Sequence, residues 1–282
     1  MSPSLLQIIL LGIVQGAAEL LPVSSSAHVI AAEKLMKLDP SSPEMSFLLV
    51  MLHTGTMFAV VVYFFGAWRR SFFSSGTQFG SALLRLGTAS VATALVGIPL
   101  LKAIEHVTHQ PIEGLFSNLN LIGLCLAASG VLITWAGLRP RTPQPGVEWP
   151  PSGAIWMGAV QGLVLPFRGL SRSGTTISTG MLRGVPRRVA EEFSFALAVV
   201  ITPPAIAREL MRFYKDRTGA AGPVHVGALL APGLVGLACS FLAGLLALRW
   251  LSAWLEKGRW HYFGVYCFAA AAGIFAMAAL GY

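Results

Sequence analysis

The sequence predicts an all-α integral membrane protein built from two inverted-topology repeats. Each repeat consists of a re-entrant helical hairpin followed by three transmembrane helices, which gives six spans in total. Of the 282 residues, 55% are hydrophobic and only 11% are charged, whereas a soluble domain has about a quarter charged residues. Six apolar runs are long enough to span a membrane, and two shorter runs are interrupted by proline at matching places in the two halves.

The net charge of +8 does not indicate a nucleic-acid partner, because the basic residues lie between apolar runs. This distribution is typical of juxtamembrane charge facing anionic lipid, so we expect membrane lipid around the chain and no nucleic acid. The cysteines Cys125, Cys239 and Cys267 stand singly inside apolar runs and show no metal or disulfide spacing. The apolar N-terminus has no basic segment before it, so we interpret it as part of the mature fold.

The first repeat, residues 1–138, opens with a hairpin over 4–37. Its first helix carries Gln15 and Glu19, which are one turn apart and share a face. Pro22 ends this helix, because proline lacks an N–H group and clashes with the preceding turn. A polar turn follows at once, made of Ser24, Ser25, Ser26 and His28.

The second repeat, residues 153–282, follows the same pattern and opens with a hairpin over 153–183. Gln161 aligns with Gln15 at an offset of 146, and the same offset aligns Ser171 with Ser25. A proline-rich linker over 139–152 joins the halves. The predicted spans are 46–65, 82–101 and 119–138 in the first repeat, and 189–208, 226–248 and 261–281 in the second.

Three spans in each repeat is an odd number, so the second repeat must be inverted relative to the first. The hairpins then enter from opposite faces and meet near the middle, which brings Glu19, Ser25 and His28 towards the second turn. Eleven Lys and Arg residues lie on one side and seven on the other. The positive-inside rule puts the larger set in the cytoplasm, so we expect both termini and the mouth of the first hairpin to face outward.

The second polar turn suits a phosphate group. Arg172 lies among hydroxyls at the start of a predicted helix, where backbone N–H groups and an arginine fork favour an anion. Arg168 stands four residues earlier. The candidate phosphate-binding residues are Arg172, Ser171, Ser173, Thr176 and Arg168. The alternative is an arginine that extends to the membrane interface, with the serines capping the helix.

Glu19 is a carboxylate in an apolar helix, and such groups are functional by default because burying them is costly. Together with Gln15 it could complete a divalent-cation site, since hard cations prefer oxygen ligands. The alternatives are a structural ion pair between Glu19 and an arginine of the other hairpin, and a helix contact for Gln15.

Ser25 is the best nucleophile candidate among the serines, and His28 could act as base or acid. The alternatives are a helix cap for Ser25 and a polar helix residue for His28. We interpret His53, in the first span, as a hydrogen-bonded packing group.

Two motifs resemble those of the undecaprenyl-diphosphate phosphatases of the BacA (bacitracin-resistance) type. The first is Gln15 to Glu19 followed by Leu21-Pro22-Val23-Ser24-Ser25, with a histidine at His28. The second is Gly169-Leu170-Ser171-Arg172-Ser173-Gly174, followed by Thr176. Where that family has Pro-Gly before the second motif, this chain has Arg168-Gly169, and its proline comes earlier, at Pro166.

The resemblance implies hydrolysis of undecaprenyl diphosphate to undecaprenyl phosphate and inorganic phosphate, which recycles the lipid carrier for cell-wall synthesis. It implies a Mg²⁺ or Ca²⁺ cofactor held by Glu19 and Gln15. It also implies that Ser25 and His28 lie near the scissile phosphate and that Arg172 holds the diphosphate. A transporter or flippase of a lipid phosphate is the alternative, because inverted repeats and broken helices also build secondary transporters. A homodimer is compatible with the sequence.

Overall fold

A computed structural model of the chain describes residues 3–40, 42–109, 112–139, 151–220 and 226–282. Within these ranges all regular secondary structure is helical, with ten α-helices and one short 3₁₀ helix at Ile112–Ser117. The helices are α1 Leu5–Leu20, α2 Ser25–Leu35, α3 Pro43–Ser71, α4 Gly76–Thr108, α5 Leu119–Leu138, α6 Pro151–Val164, α7 Arg172–Leu182, α8 Arg187–Ala220, α9 Val226–Glu256 and α10 His261–Ala279.

Five helices of the described residues are long and apolar enough to cross a membrane, namely α3, α4, α5, α9 and α10. The protein is therefore a multi-pass helical membrane protein. The sixth predicted span, 189–208, coincides with α8, which is long enough but carries Arg187, Arg188, Glu191 and Glu192 in its first two turns. The predicted linker lies outside the described residues except at its two ends.

Each stretch predicted to form a hairpin contains two short helices separated by a turn. In the first, α1 begins with a capping box at Ser4 and ends at Leu20, two residues before Pro22. Ser24 then adopts a left-handed backbone with a φ of 68°. In the second, Gly169 occupies the turn with a φ of 99°, a conformation that glycine adopts at no steric cost.

Each hairpin packs its first helix against a helix of the other half of the chain. Gly12 and Gly16 of α1 lie against the backbone of α9, where an added Cβ on Gly16 would meet Ser240 O at 2.4 Å. Gly158 and Gly162 of α6 lie in the same way against α4, where an added Cβ on Gly162 would meet Thr93 O at 2.5 Å. Small residues let helix backbones approach closely, as membrane helix pairs commonly do. These two pairs of helices run parallel.

Two further pairs of long helices from opposite halves, α5 with α10 and α3 with α8, run antiparallel, whereas α3 runs parallel to α9. Along α5 and α10, Gly123 lies against Phe275 and Gly137 against His261. Phe64 of α3 stacks on Phe195 of α8. The core between these helices is apolar and holds the hairpin tips, so the polar turns of both hairpins are enclosed by helices from both halves.

Candidate active site

The tips of the two hairpins touch, as the sequence predicts. The backbone N–H of Gly169 donates to the Ser26 hydroxyl at 3.2 Å. The Ser173 hydroxyl donates to the carbonyl of Leu21 at 3.3 Å. Both bonds cross between the hairpins, so the position of one turn fixes the position of the other.

An ion pair lies at this junction. Nη2 of Arg172 donates to Oε1 of Glu19 at 3.1 Å, and the two side chains are 21% and 19% exposed. Arg172 is the first residue of α7, and Glu19 is the penultimate residue of α1. A helix end and a helix start from opposite halves therefore present opposite charges to each other, in a place that a ligand can still reach.

Three further side chains surround the Glu19 carboxylate. The Ser25 hydroxyl donates to Oε2 at 2.5 Å, and Nε2 of Gln15 donates to the same oxygen at 3.2 Å. Nε2 of Gln15 also lies 3.0 Å from Nδ1 of His53. Nδ1 of His53 in turn lies 3.9 Å from Oε2 of Glu19. The sequence interpretation of His53 as a packing group misses this contact, because α3 reaches the hairpin only through the tertiary fold.

Arg172 retains an unused donor. Its Nη1 is buried and has no hydrogen-bond partner among the described residues, although a guanidinium offers five donors in a fixed fork. A buried donor left without a partner is costly, so such a group in a folded protein requires an explanation. A phosphate oxygen beside Glu19 would satisfy it.

The three hydroxyls of the second turn are engaged within the protein. The Ser171 hydroxyl accepts from the N–H of Gly174 at 3.1 Å and so caps α7. The Ser173 hydroxyl bonds to the first hairpin, as described above. The Thr176 hydroxyl donates to the Arg172 carbonyl at 2.7 Å and lies 2.6 Å from the Ser194 hydroxyl. All three side chains are nearly fully buried, so these residues hold the turn in shape around Arg172.

Arg168 also has a place within the protein. Its guanidinium lies over the ring of Phe116, 4.2 Å from the centroid, a geometry that attracts a cation. Its charge also acts on the buried carboxylate of Glu33 in α2. The basic residue that replaces the family's proline thus contacts the first half of the chain.

Both ring nitrogens of His28 have partners other than the ion pair. Nδ1 lies 2.8 Å from the Ser24 carbonyl, which can only accept, so Nδ1 carries the proton. In the neutral ring Nε2 is then the acceptor, and it lies 2.8 Å from the Tyr266 hydroxyl. Tyr266 stacks on the same imidazole. His28 therefore lies between the serine turn and α10.

The residues present offer a partial ligand set for a divalent cation. No group of three or more His, Cys, Asp or Glu side chains that could hold a metal occurs in the described part of the chain. The Glu19 carboxylate nevertheless supplies oxygen ligands, and the Gln15 amide lies beside it with its Nε2, rather than its Oε1, turned towards Glu19. Mg²⁺ is usually bound through one or two carboxylates together with the phosphates of a substrate. The donor set fits a cation that arrives with, or is completed by, a diphosphate.

Comparison with known proteins agrees with these motifs. The family described as bacitracin resistance protein BacA matches residues 8–273. The chain is 52% identical over 272 residues to undecaprenyl-diphosphatase 2 of Acinetobacter baylyi, covering 94% of this chain and 95% of that protein. It is 34% identical over 286 residues to undecaprenyl-diphosphatase of Desulfatibacillum aliphaticivorans, covering 95% and 97% respectively. The chain belongs to the BacA bacitracin resistance protein family.

Proposed function

We propose that this chain hydrolyses undecaprenyl diphosphate to undecaprenyl phosphate and inorganic phosphate, and so recycles the lipid carrier for cell-wall synthesis. The observation that carries the proposal is the unused Nη1 of Arg172 beside the Glu19–Ser25 pair. A donor able to bind a phosphate oxygen therefore lies near a carboxylate that accepts a hydrogen bond from the Ser25 hydroxyl. The names of the two relatives describe the same activity.

In this mechanism the terminal phosphate of the diphosphate binds at Arg172, which takes up the charge that develops in the displacement. Glu19 accepts the proton of the attacking oxygen, either that of Ser25 or that of a water in its place. The bond between the terminal phosphorus and the bridging oxygen breaks, and the polyprenyl phosphate leaves. If Ser25 is the attacking group, a water then hydrolyses the phosphoserine and releases inorganic phosphate; if water attacks, inorganic phosphate forms directly. Gln15 and His53 hold the carboxylate in position from the opposite side.

Glu19, Gln15 and the diphosphate would together hold Mg²⁺ or Ca²⁺. Bound there, such a cation would neutralise phosphate charge as a Lewis acid. The residues of the chain would keep their own roles: Arg172 binds the phosphate, Ser25 stays aligned with Glu19, and Ser171, Ser173 and Thr176 support the turn. His28 lies next to the same turn and is our second candidate for proton transfer.

For the architecture we propose six spans in two inverted repeats, residues 1–138 and 153–282, joined by 139–152. Two observations support this arrangement. α1 runs parallel to α9 and α6 runs parallel to α4, with glycines at matching positions in both pairs. The last spanning helices of the two repeats, α5 and α10, run antiparallel to each other. With the basic residues distributed as above, the chain would lie in the bacterial inner membrane with its first hairpin open to the periplasm.

Release of inorganic phosphate from undecaprenyl diphosphate by the purified protein in detergent tests this function. We expect turnover that rises with Mg²⁺ or Ca²⁺. A lipid phosphate transporter with the same fold would release none, so absence of phosphate from a folded, monodisperse sample would overturn the proposal.

Glu19→Gln separates a catalytic carboxylate from a purely structural ion pair. If Glu19 is the base, turnover per folded molecule is lost. A structural ion pair would instead show as instability of about 3–5 kcal/mol, because Arg172 would be buried without its partner. A variant that melts early but keeps its metal-dependent turnover per folded molecule would remove Glu19 from the mechanism.

A further inference from the structure

Tyr266 of α10 contacts the histidine of the first hairpin in two ways. Its hydroxyl lies 2.8 Å from Nε2 of His28. Its ring lies nearly parallel to the imidazole, with the planes 11° apart and the centroids 5.7 Å apart. The two residues are 238 positions apart in the chain, so a helix of the second half fixes a side chain of the first.

The proton of this hydrogen bond comes from the tyrosine. Nδ1 of His28 lies 2.8 Å from the Ser24 carbonyl, which can only accept, so Nδ1 carries the ring proton. Nε2 of the neutral ring is then an acceptor, and the Tyr266 hydroxyl must donate to it. The bond at one ring nitrogen sets the state of the other. Removal of the hydroxyl would therefore leave Nε2 without this donor.

The other ring nitrogen connects His28 to the serine turn. Ser24 has a φ of 68°, and its carbonyl accepts from Nδ1 of His28 and, at 3.4 Å, from the His28 backbone N–H. A left-handed backbone in a residue other than glycine persists only where its surroundings hold it. The next residue is Ser25, whose hydroxyl donates to Glu19 at 2.5 Å. The imidazole supports this turn, and Tyr266 holds the imidazole.

α10 holds the same turn at a second point. Cys267, the residue after Tyr266, is fully buried, and its thiol donates to the carbonyl of Pro22 at 3.4 Å. A thiol is a weak donor, so the tyrosine hydroxyl makes the stronger of the two bonds. Two successive residues of α10 thus contact the break between α1 and α2.

The second hairpin lacks this pair. At the offset of 146, Gly174 stands where the first hairpin has His28. An added Cβ on Gly174 would meet Cδ1 of Ile133 in α5 at 2.7 Å, so α7 packs there against an apolar side chain. The bond between histidine and tyrosine belongs to the hairpin that carries Glu19.

We propose that Tyr266 is a positioning residue for the hydrolysis. Its hydroxyl fixes His28, and through His28 it holds the serine turn that presents Ser25, or the water in its place, to Glu19. This inference rests on the proposed function and adds a residue of the second half to the support of the first hairpin. Tyr266 acts by orientation, since misplacement of a reacting group by about 1 Å can cost a hundredfold in rate.

Tyr266→Phe tests the hydroxyl, because it keeps the aromatic ring. We expect kcat to fall about tenfold or more. KM for undecaprenyl diphosphate should change by less than about threefold, since the diphosphate still binds at Arg172 and only the reacting geometry is disturbed. Phosphate release in detergent, normalised to folded protein, measures both constants.

Tyr262→Phe is the matched control. Tyr262 lies about one turn earlier on α10, is half exposed like Tyr266, and packs its ring against Trp254. Loss of its hydroxyl should leave kcat unchanged. The same fall in kcat with both variants would overturn the proposal. So would a Tyr266→Phe protein that melts earlier but keeps full kcat per folded molecule, because that is the result of a purely structural contact.

¹⁵N NMR of protein labelled at its histidine nitrogens gives a second test that does not depend on hydrolysis. His28→Ala identifies the His28 signals among those of the six histidines. We expect the ring proton on Nδ1, and we expect Tyr266→Phe to shift the Nε2 resonance while Tyr262→Phe leaves it in place. A proton on Nε2, or an Nε2 resonance that Tyr266→Phe does not move, would overturn the proposal. If the resonance moves but the wild-type protein releases no phosphate, the hydrolase function fails while the bond between α10 and the first hairpin stands.

Discussion

The two hairpins share a backbone and differ in chemistry. Each has a short helix that packs through two glycines, a proline break, a left-handed residue and a second short helix. At the offset of 146, Glu19 of the first hairpin corresponds to Leu165 of the second, and Arg172 has Ser26 as its counterpart. One hairpin thus supplies the carboxylate and the other supplies the guanidinium. The site exists only where they meet.

The aligned glutamines show how far this division extends. Gln15 bridges Glu19 and His53. Gln161 faces away towards α4, where its Nε2 donates to the Thr93 hydroxyl at 3.4 Å. The same residue at the same place in the repeat is therefore part of the site in one half and a helix contact in the other.

The serine turns differ in a related way. In the second hairpin the Ser171 hydroxyl is consumed by capping α7. In the first hairpin Ser24 makes no such cap to α2, and Ser25 is free to donate to Glu19. Ser24 holds a left-handed backbone that costs about 1–3 kcal/mol in a residue other than glycine. Strain of this kind commonly accompanies a functional turn, which fits the assignment of chemistry to the first hairpin.

The largest effect should come from the cation that the second hairpin supplies. Arg172→Ala should lower kcat/KM by about a hundredfold to a thousandfold, the usual loss on removing a donor from a developing anionic charge. Arg172→Lys should recover only part of it, because lysine lacks the fork. Steady-state kinetics of phosphate release, normalised to folded protein, measures both.

Arg168→Ala is the matched control for this prediction. Arg168 stacks on Phe116, so we expect its loss to cost stability and less than about tenfold in turnover, which corresponds to about 1.4 kcal/mol. If Arg168→Ala and Arg172→Ala lose activity equally, the diphosphate binds both arginines and the second turn has two clamps rather than one.

Substitution of His53 should have a smaller effect on turnover. It tests whether Gln15, unlike Gln161, takes part in the site. Because it contacts Gln15 and lies near Glu19, His53→Ala should lower turnover about tenfold to a hundredfold, as loss of a supporting partner commonly does. His53→Gln should keep more activity, since an amide can still bond to Gln15. His106→Ala, at the exposed end of α4, is the control and should leave turnover unchanged. If His53→Ala kept full activity, His53 would be only a hydrogen-bonded packing group, as the sequence interpretation has it.

Apolar run lengths and proline breaks predicted a helical membrane protein, and five of the six predicted spans overlap helices that are long and apolar enough to cross a membrane. The same pattern predicted that Glu19 approaches the second turn, where it pairs with Arg172, while the layout of two inverted repeats stays a prediction. Such patterns do not reveal how a hydrogen-bonding group is used once the chain is packed. Thr176 illustrates this, because its hydroxyl is taken up by Arg172 and Ser194. His53 illustrates the converse, since a lone polar residue in an apolar span gives no sign of which hairpin it will meet.

The helix ends were also harder to predict than the helices. The span predicted over 46–65 extends to Pro43–Ser71 as α3, because its last turn carries Arg69 and Arg70, which favour a helix C-terminus but not an apolar core. α5 was predicted over its full length, since Asn118 caps it at one end and apolar residues fill it to the other. A rule that counts only apolar residues therefore ends a predicted span before charged residues, such as Arg69 and Arg70, that still belong to the helix.

The smallest effect should come from the glycines that both hairpins share. Gly16→Ala and Gly162→Ala each force a Cβ against a backbone oxygen at about the same distance, so each should destabilise the protein by about 1–3 kcal/mol through overpacking. Melting temperatures in detergent measure this. Gly80→Ala in α4 is the matched control, because nothing lies within 4 Å of its added Cβ, and alanine there should stabilise the helix by about 0.5–1 kcal/mol.

Turnover then distinguishes the two hairpins. Gly16 is three residues from Glu19 on the same helix, so a shift of α1 moves the carboxylate directly, and misplacement by about 1 Å can cost a hundredfold in rate. Gly162 is ten residues from Arg172, across the turn that Ser171 and Ser173 hold in place. At equal destabilisation, Gly16→Ala should therefore lose more turnover per folded molecule than Gly162→Ala. The opposite order would mean that the position of the Arg172 guanidinium, rather than that of the Glu19 carboxylate, limits the reaction.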